Sequence, residues 1–361
     1  MFNASRLTIA RQRAGLTKKE LAVQIGVDPR AVSGFEAGQY LPNASNLSRI
    51  ALALGFPEQF FEADDLELIA TEGVSFRSMN KMTAKQRDAA VAAGSIAFVL
   101  NDWVDREFDL PAVDIPDYTG ASPEAAAQSI RQHWELGERP IKNMIHLMES
   151  KGIRVFSLAE NCIEVDAYSV WRGVRPFVFL NTVKSGERRR FDAAHELAHL
   201  VLHRHGSPNG AEAEKEAHAF AGAFLMPTAS MKAMGRITPT LPSIYELKKK
   251  WAVSAAALIV RLHGLGMLTY YHYNRMYAEI SRNGFRTNEP FGIKPETSQV
   301  WHKVFSQLRK EGVGVQQLAD RLLLPADEIV KLVFGLVTIG LPGVEPMGSA
   351  PKRTAHLTVI K

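Results

Sequence analysis

The sequence predicts a mainly α-helical chain with a small β-sheet, an α+β protein of more than one domain. Three observations carry this. Apolar residues recur at helical spacing through most of the chain, with cap residues before and Gly or Pro after many of the periodic stretches. Three short β-rich runs, residues 152–158, 163–171 and 176–181, cluster in one place. The length of 361 residues, 46% hydrophobic and 22% charged, fits two or three globular domains with ample core.

The N-terminal 65 residues predict five helices around a small core of Leu7, Ile9, Leu21, Ile25, Val32, Phe35, Leu47, Ile50, Ala51 and Leu54. Thr17 and Glu20 form a capping box for a short helix. Ile25-Gly26-Val27 makes the turn, and Asp28 caps a second helix with Pro29 in its first turn, ending near Gly38. This layout resembles the Cro/C1 (XRE)-type helix-turn-helix domains of phage repressors over the whole five-helix unit. In that motif the start of the second helix enters the major groove. Arg30, Ala31 and Ser33 are then expected to face bases, with Arg30 able to pair bidentately with guanine, and Lys18 to lie at the groove edge or on phosphate. The seven basic residues Arg6, Arg11, Arg13, Lys18, Lys19, Arg30 and Arg49 outnumber the acids Glu20, Asp28, Glu36 and Glu58, as phosphate contact requires. Double-stranded DNA is the expected partner, bound by a homodimer on two half-sites one helical turn apart. The bland alternative is a fold that only mediates protein contacts.

Residues 62–82 are polar and irregular and carry the acids Glu62, Asp64, Asp65 and Glu67. Residues 83–108 read as one long helix, followed by a Pro-marked stretch to 123. Ser122-Pro123 starts the next helix and Pro140 another, running to about residue 151. Of the β-rich runs that follow, 176–181 is expected to be the sheet edge, where an extended substrate can be held by main-chain bonds.

Residues 195–199 read His195-Glu196-Leu197-Ala198-His199, an HExxH motif in an uninterrupted helical stretch. Residues four apart share one helix face, so both imidazoles can reach a single zinc ion. Glu196 sits one step round the helix, placed to take a proton from water and poorly placed to be a ligand. A catalytic zinc commonly has three protein ligands, so one more is needed. The next helix, 211–226, has the apolar stripe Ala213, Ala217, Phe220, Ala221 and Phe224. Glu214 and Glu216 flank that stripe and Glu212 points away, so periodicity rejects Glu212 and leaves the other two open. His203, His205 and His218 are further candidates, each also readable as a surface histidine.

FDAAHELAHLVLH followed by EKEAHAFAGAFLMP resembles the ImmA/IrrE family of zinc metallopeptidases, and the resemblance extends over about residues 120–270. It implies a zincin-like metallopeptidase domain in which Glu214 is the third ligand beside His195 and His199, with Glu196 as general base. Where the family carries Asn, this sequence has His218, either a neutral replacement or a competitor for the metal. The resemblance also implies a prokaryotic stress- or mobile-element-linked regulator that cleaves a protein such as a transcriptional repressor. His218, Tyr168, Arg172 and His203 are candidates for stabilising the oxyanion of such a cleavage.

Segments 245–268 and 315–336 repeat a helix-turn-helix cadence. Lys248, Lys249 and Lys250 are expected to lie on a solvated helix face, and the residues from Pro342 form a loose tail. The expected domains are 1–65, DNA-binding; 66–118, helical connector; 119–270, peptidase; and 271–361, helical C-terminal region. The single cysteine, Cys162, excludes an internal disulfide and reads as a structural thiol in a reducing cytoplasm. No apolar run reaches membrane-spanning length, and the net charge of +5 favours an anionic partner only weakly. Two other functions fit the same residues: a DNA-binding regulator whose zinc domain senses or scaffolds without proteolysis, and a peptidase for which the DNA-binding unit only targets or inhibits.

Overall fold

The computed structural model describes residues 1–69, 83–158, 166–204, 210–285 and 289–337. The N-terminal unit holds α1 (Ala4–Arg13), α2 (Lys18–Ile25), α3 (Pro29–Glu36) and α4 (Ala44–Leu54). Its caps follow the sequence. The Thr17–Glu20 capping box opens α2, left-handed Gly26 (φ +69°) closes it, and Asp28 accepts from Arg30 N ahead of α3. The expected fifth helix is a single 3-10 segment, Glu58–Glu62. Pro57 before it and the acidic stretch after it leave too few residues for an α-helix, and it serves to bury Phe60 and Phe61.

Thr83 and Gln86 make a second capping box at the head of α5 (Ala84–Glu107). This 24-residue helix takes α1 on one side and the sheet on another. Gly94 allows the close approach. A Cβ there would meet Ile69 Cδ1 at 2.3 Å and the Tyr168 hydroxyl at 2.6 Å. The Tyr168 hydroxyl donates to Ala90 O at 2.9 Å, and Phe98 packs on Phe177 with ring centres 4.7 Å apart.

Next come α6 (Pro123–His133) and α7 (Met144–Ser150). The second begins at Met144, not at Pro140. Asn143 is the cap, accepting from His146 N, and Arg190 donates to the Ile141 carbonyl that a longer helix would need. The strands are β1 (Arg154–Ser157), β2 (Ala167–Arg172) and β3 (Arg175–Leu180), in the order β1-β3-β2. β3 runs parallel to β1 and antiparallel to β2, so it is the central strand. The expectation that 176–181 forms the edge is therefore overturned. Phe177, Val178, Phe179 and Leu180 are all buried, a continuous apolar run that suits a strand covered on both faces. The edge beside the HExxH helix is β2, whose second half is only partly buried.

The rest is helical: α8 (Gly186–Leu202), α9 (Ala211–Leu225), α10 (Thr228–Ala233), α11 (Leu241–Trp251), α12 (Ala255–Gly264), α13 (Tyr270–Arg282), α14 (Gln299–Lys310), α15 (Val315–Leu322) and α16 (Ala326–Val333). The mainly helical α+β class is as expected. Both repeated cadences are helix pairs, α11–α12 and α15–α16. The second pair returns to the N-terminal unit, where Arg13 on α1 meets Glu328 on α16 at 2.5 Å, both buried.

Lys248 departs from its expected place. It is 0% exposed, with its ammonium 2.8 Å from Glu187, 2.9 Å from Glu289 and 3.2 Å from the carbonyls of Pro290 and Phe291. Two carboxylates and two carbonyls replace the water it gives up. Among the described residues no helix is long and apolar enough to cross a membrane. Cys162, His205 and the tail from Pro342 lie outside the described residues.

Candidate metal centre

The site is built where α8 crosses α9. Ala194 and Ala198 on one helix and Ala217 and Ala221 on the other are fully buried, so the backbones approach closely and the longer polar side chains meet between them. His195 and Glu196 are 0% exposed and His199 is 4% exposed. The turn-to-turn spacing of the motif brings His195 Nε2 to 3.2 Å from His199 Nε2. Glu214 reaches across from the first turn of α9, with Oε2 3.3 Å from His195 Nε2 and Oε1 3.5 Å from His199 Nε2.

These separations carry metric information. Four donors held about 2.0–2.1 Å from one central ion at tetrahedral corners lie roughly 3.3–3.4 Å apart. The three donor pairs, at 3.2, 3.3 and 3.5 Å, match those edges. Among the described residues, His195, His199 and Glu214 are the group whose ligand atoms converge, all within 4.8 Å of one another. Two imidazoles and a carboxylate are the donor set that zinc accepts, and they leave a fourth corner open for water or substrate. The residues therefore fit the metal that the sequence motif implied.

Before any metal binds, burial pushes the Glu214 carboxyl up, but hydrogen bonds donated by His195 and His199 and their charge outweigh it and hold the group well below the usual carboxylate range. It stays an anion, as a ligand must. Glu216, the other candidate, lies on the far side of the row, with Oε2 2.9 Å from His203 Nε2.

Glu196 points from α8 toward the sheet, and Ser169 on β2 donates its hydroxyl to Glu196 Oε2 at 2.7 Å. Sequence reasoning missed Ser169. The available signal was the period of two along β2, which sends Tyr168 and Ser169 to opposite faces. Tyr168 faces α5 and Arg172 is held by Asp102 and Glu67, so neither reaches the cluster. His203 belongs to the row behind His199. His218 stands outside the three-donor group, with its ring centre 5.3 Å from that of His195. It is exposed and lies on the rim of a cleft of about 610 Å³, whose walls include Arg188, Phe191, Gly222, Val260 and Tyr277.

The DNA-facing candidates sit elsewhere, on α2 and α3. Arg30 and Ser33 are exposed, Lys18 is 47% exposed and ion-paired with Glu36 at 3.3 Å, and Ala31 is half-buried against the core. The basic excess is smaller at the surface than the count suggests. Arg6, Arg11 and Arg13 are buried, bound to the Asp64 carbonyl, to Glu36 and to Glu328. Lys18, Lys19, Arg30 and Arg49 remain exposed for phosphate.

Comparison with known proteins agrees with both regions. Residues 7–61 match a helix-turn-helix family model, and residues 148–263 match the peptidase M78 model, described as the IrrE N-terminal-like domain. No curated protein matches the chain. Among solved structures, the apo form of the competence regulator ComR from Streptococcus vestibularis aligns at 12% identity over 86% of this chain and 98% of that one. Its TM-score of 0.16 carries no statement about fold or function. The two matches thus set a helix-turn-helix model at residues 7–61 before the IrrE N-terminal-like model of peptidase M78 at residues 148–263, the pairing that the two sequence resemblances implied.

Proposed function

We propose that this protein is a zinc-dependent endopeptidase coupled to a DNA-binding domain, acting in the prokaryotic cytoplasm as a regulator that cleaves another protein, such as a transcriptional repressor. The single observation that supports this most is the convergence of His195, His199 and Glu214 at tetrahedral-edge distances, with Glu196 beside them. Zinc held by these three residues would supply Lewis acidity toward water and the scissile carbonyl. Glu196 is the general base. It takes the proton of the attacking water and returns it to the leaving amine, and Ser169 keeps its second oxygen turned to the strand. An extended substrate would lie along the β2 edge, bound by main-chain hydrogen bonds. His218, beside the cluster and open to solvent, is placed to donate to the oxyanion.

The division into residues 1–65, 66–118, 119–270 and 271–361 serves this reading, with α5 as the connector between the DNA-binding and peptidase parts. Arg30, Ala31 and Ser33 would read bases, Lys18 would contact phosphate, and a homodimer would span two half-sites. The test compares new protein N-termini in a lysate of the source cells after treatment with wild type or Glu196→Gln. Termini that appear with wild type and not with the variant support the peptidase. Bound zinc with no new termini would instead favour a regulator whose metal domain senses or scaffolds.

A further inference from the structure

Behind His199, on the side away from Glu214, two more side chains continue the row. His203 follows one turn later on α8, at its C-cap, with Nδ1 3.0 Å from His199 Nδ1. The other ring nitrogen of His203 lies 2.9 Å from Glu216 Oε2, across on α9. Donors and acceptors can be ordered along this row. His199 Nε2 faces His195 and Glu214 and must offer a lone pair there if it is to ligate, so its proton belongs on Nδ1. His203 Nδ1 then accepts that proton's hydrogen bond, which puts the His203 proton on Nε2. Glu216, a pure acceptor, receives it. Reversing either ring would set two donors or two acceptors face to face.

We propose that His203 and Glu216 are positioning residues of the metal centre, a relay that fixes His199 in the tautomer and ring orientation presenting Nε2 to zinc. The inference rests on the zinc reading above and deepens it. It gives the two acids that flank the apolar stripe of α9 different roles: Glu214 faces the cluster, and Glu216 anchors the imidazole behind it. The His203 side chain is 11% exposed and that of Glu216 40% exposed. A solvent-screened carboxylate contributes little by charge alone, so its effect runs through the hydrogen bond. Removing an outer partner of a ligating histidine typically weakens metal binding by about 10–100-fold.

The test measures zinc affinity of the full-length chain by competition with a chromophoric chelator, together with the melting temperature of the metal-free protein. His203→Ala and Glu216→Ala are each expected to weaken zinc binding about 10–100-fold. Because the two act in series, the double variant should lose little more than His203→Ala alone. Glu216→Gln keeps an acceptor oxygen and should retain most of the affinity, while Glu212→Ala, an exposed acid on the same helix, should leave it unchanged. Metal-free melting should move little in Glu216→Ala, which separates positioning from folding. Wild-type affinity in both His203→Ala and Glu216→Ala would overturn the relay, and so would equal losses in Glu216→Ala, Glu216→Gln and Glu212→Ala. Absence of zinc on the wild-type protein would overturn the zinc reading itself, before any variant is compared.

Discussion

The helix-turn-helix unit and the candidate metal centre use polar side chains in opposite ways. On α3, Arg30 and Ser33 stand in solvent, and among the described residues their side chains make no hydrogen bond or ion pair, so whatever specificity they have must be completed by a partner. At the α8–α9 crossing, His195, Glu196 and His199 are buried, and the ligand atoms of His195, His199 and Glu214 already lie within 4.8 Å of one another. The first region is organised by its backbone, through caps at Asn3, Thr17, Asp28 and Asn43 that aim one helix outward. The second is organised by side chains packed between small residues. One is an exposed surface; the other is a buried cluster assembled by the packing of two helices.

This contrast can be broken or sharpened by substitution. The largest expected effect is at Glu196. Glu196→Gln should lower the rate of peptide-bond cleavage by about 10²–10⁴. DNA binding in a mobility-shift titration should stay at the wild-type level. Equal loss of both would mean that the regions do not act separately.

The next effect lies at the contact between the N-terminal unit and α16. Among the described residues, Arg13→Ala leaves the buried Glu328 with Lys331 alone, 3.0 Å away, and should destabilise the protein by up to about 3–5 kcal/mol, read from urea unfolding. A change below about 0.5 kcal/mol would show that the N-terminal unit is stable without this contact.

A smaller effect is expected on the exposed helix. Arg30→Ala should weaken specific DNA binding by about 1–3 kcal/mol and relax preference at one base position, with zinc content unchanged. Identical titrations of wild type and Arg30→Ala, at one fixed salt concentration, would leave the fold as a protein-contact module.

The smallest effect is a titration. Glu20 accepts from Thr17 N and Oγ1 and meets Lys85 at the head of α5, which lowers its carboxyl to about 2. A carboxyl depressed on folding adds stability that is present above its unfolded value near 4.5 and is lost as pH falls toward about 2. NMR titration of the Glu20 carboxyl should find its midpoint near the lower value, and Lys85→Ala should raise it only slightly, since the Thr17 bonds come first.

Much of both regions could be read from the chain, and what could not has a physical reason. The capping boxes at Thr17 and Thr83 are local, so four residues of sequence announce them. The two histidines and Glu196 were legible because helix periodicity alone sets their relation. Glu214 and Glu216 were not separable that way. They flank the same stripe, and which flank meets the histidines depends on how α9 docks on α8. Strand order was also out of reach of local pattern, because β1 and β3 pair across an intervening strand. The unbroken apolar run Phe177–Leu180 is the pattern of a covered central strand, which the edge reading of 176–181 passed over. Lys248 read as solvated within a lysine run because its partners, Glu187 and Glu289, are 61 and 41 residues away.

The most direct test is the zinc content of the purified full-length chain after loading and desalting, measured by elemental analysis. Wild type and Glu196→Gln should each carry about one zinc per chain, and His199→Ala and Glu214→Ala close to none. A wild-type protein that holds no zinc, or a Glu214→Ala variant that holds it fully, would contradict the site formed by His195, His199 and Glu214.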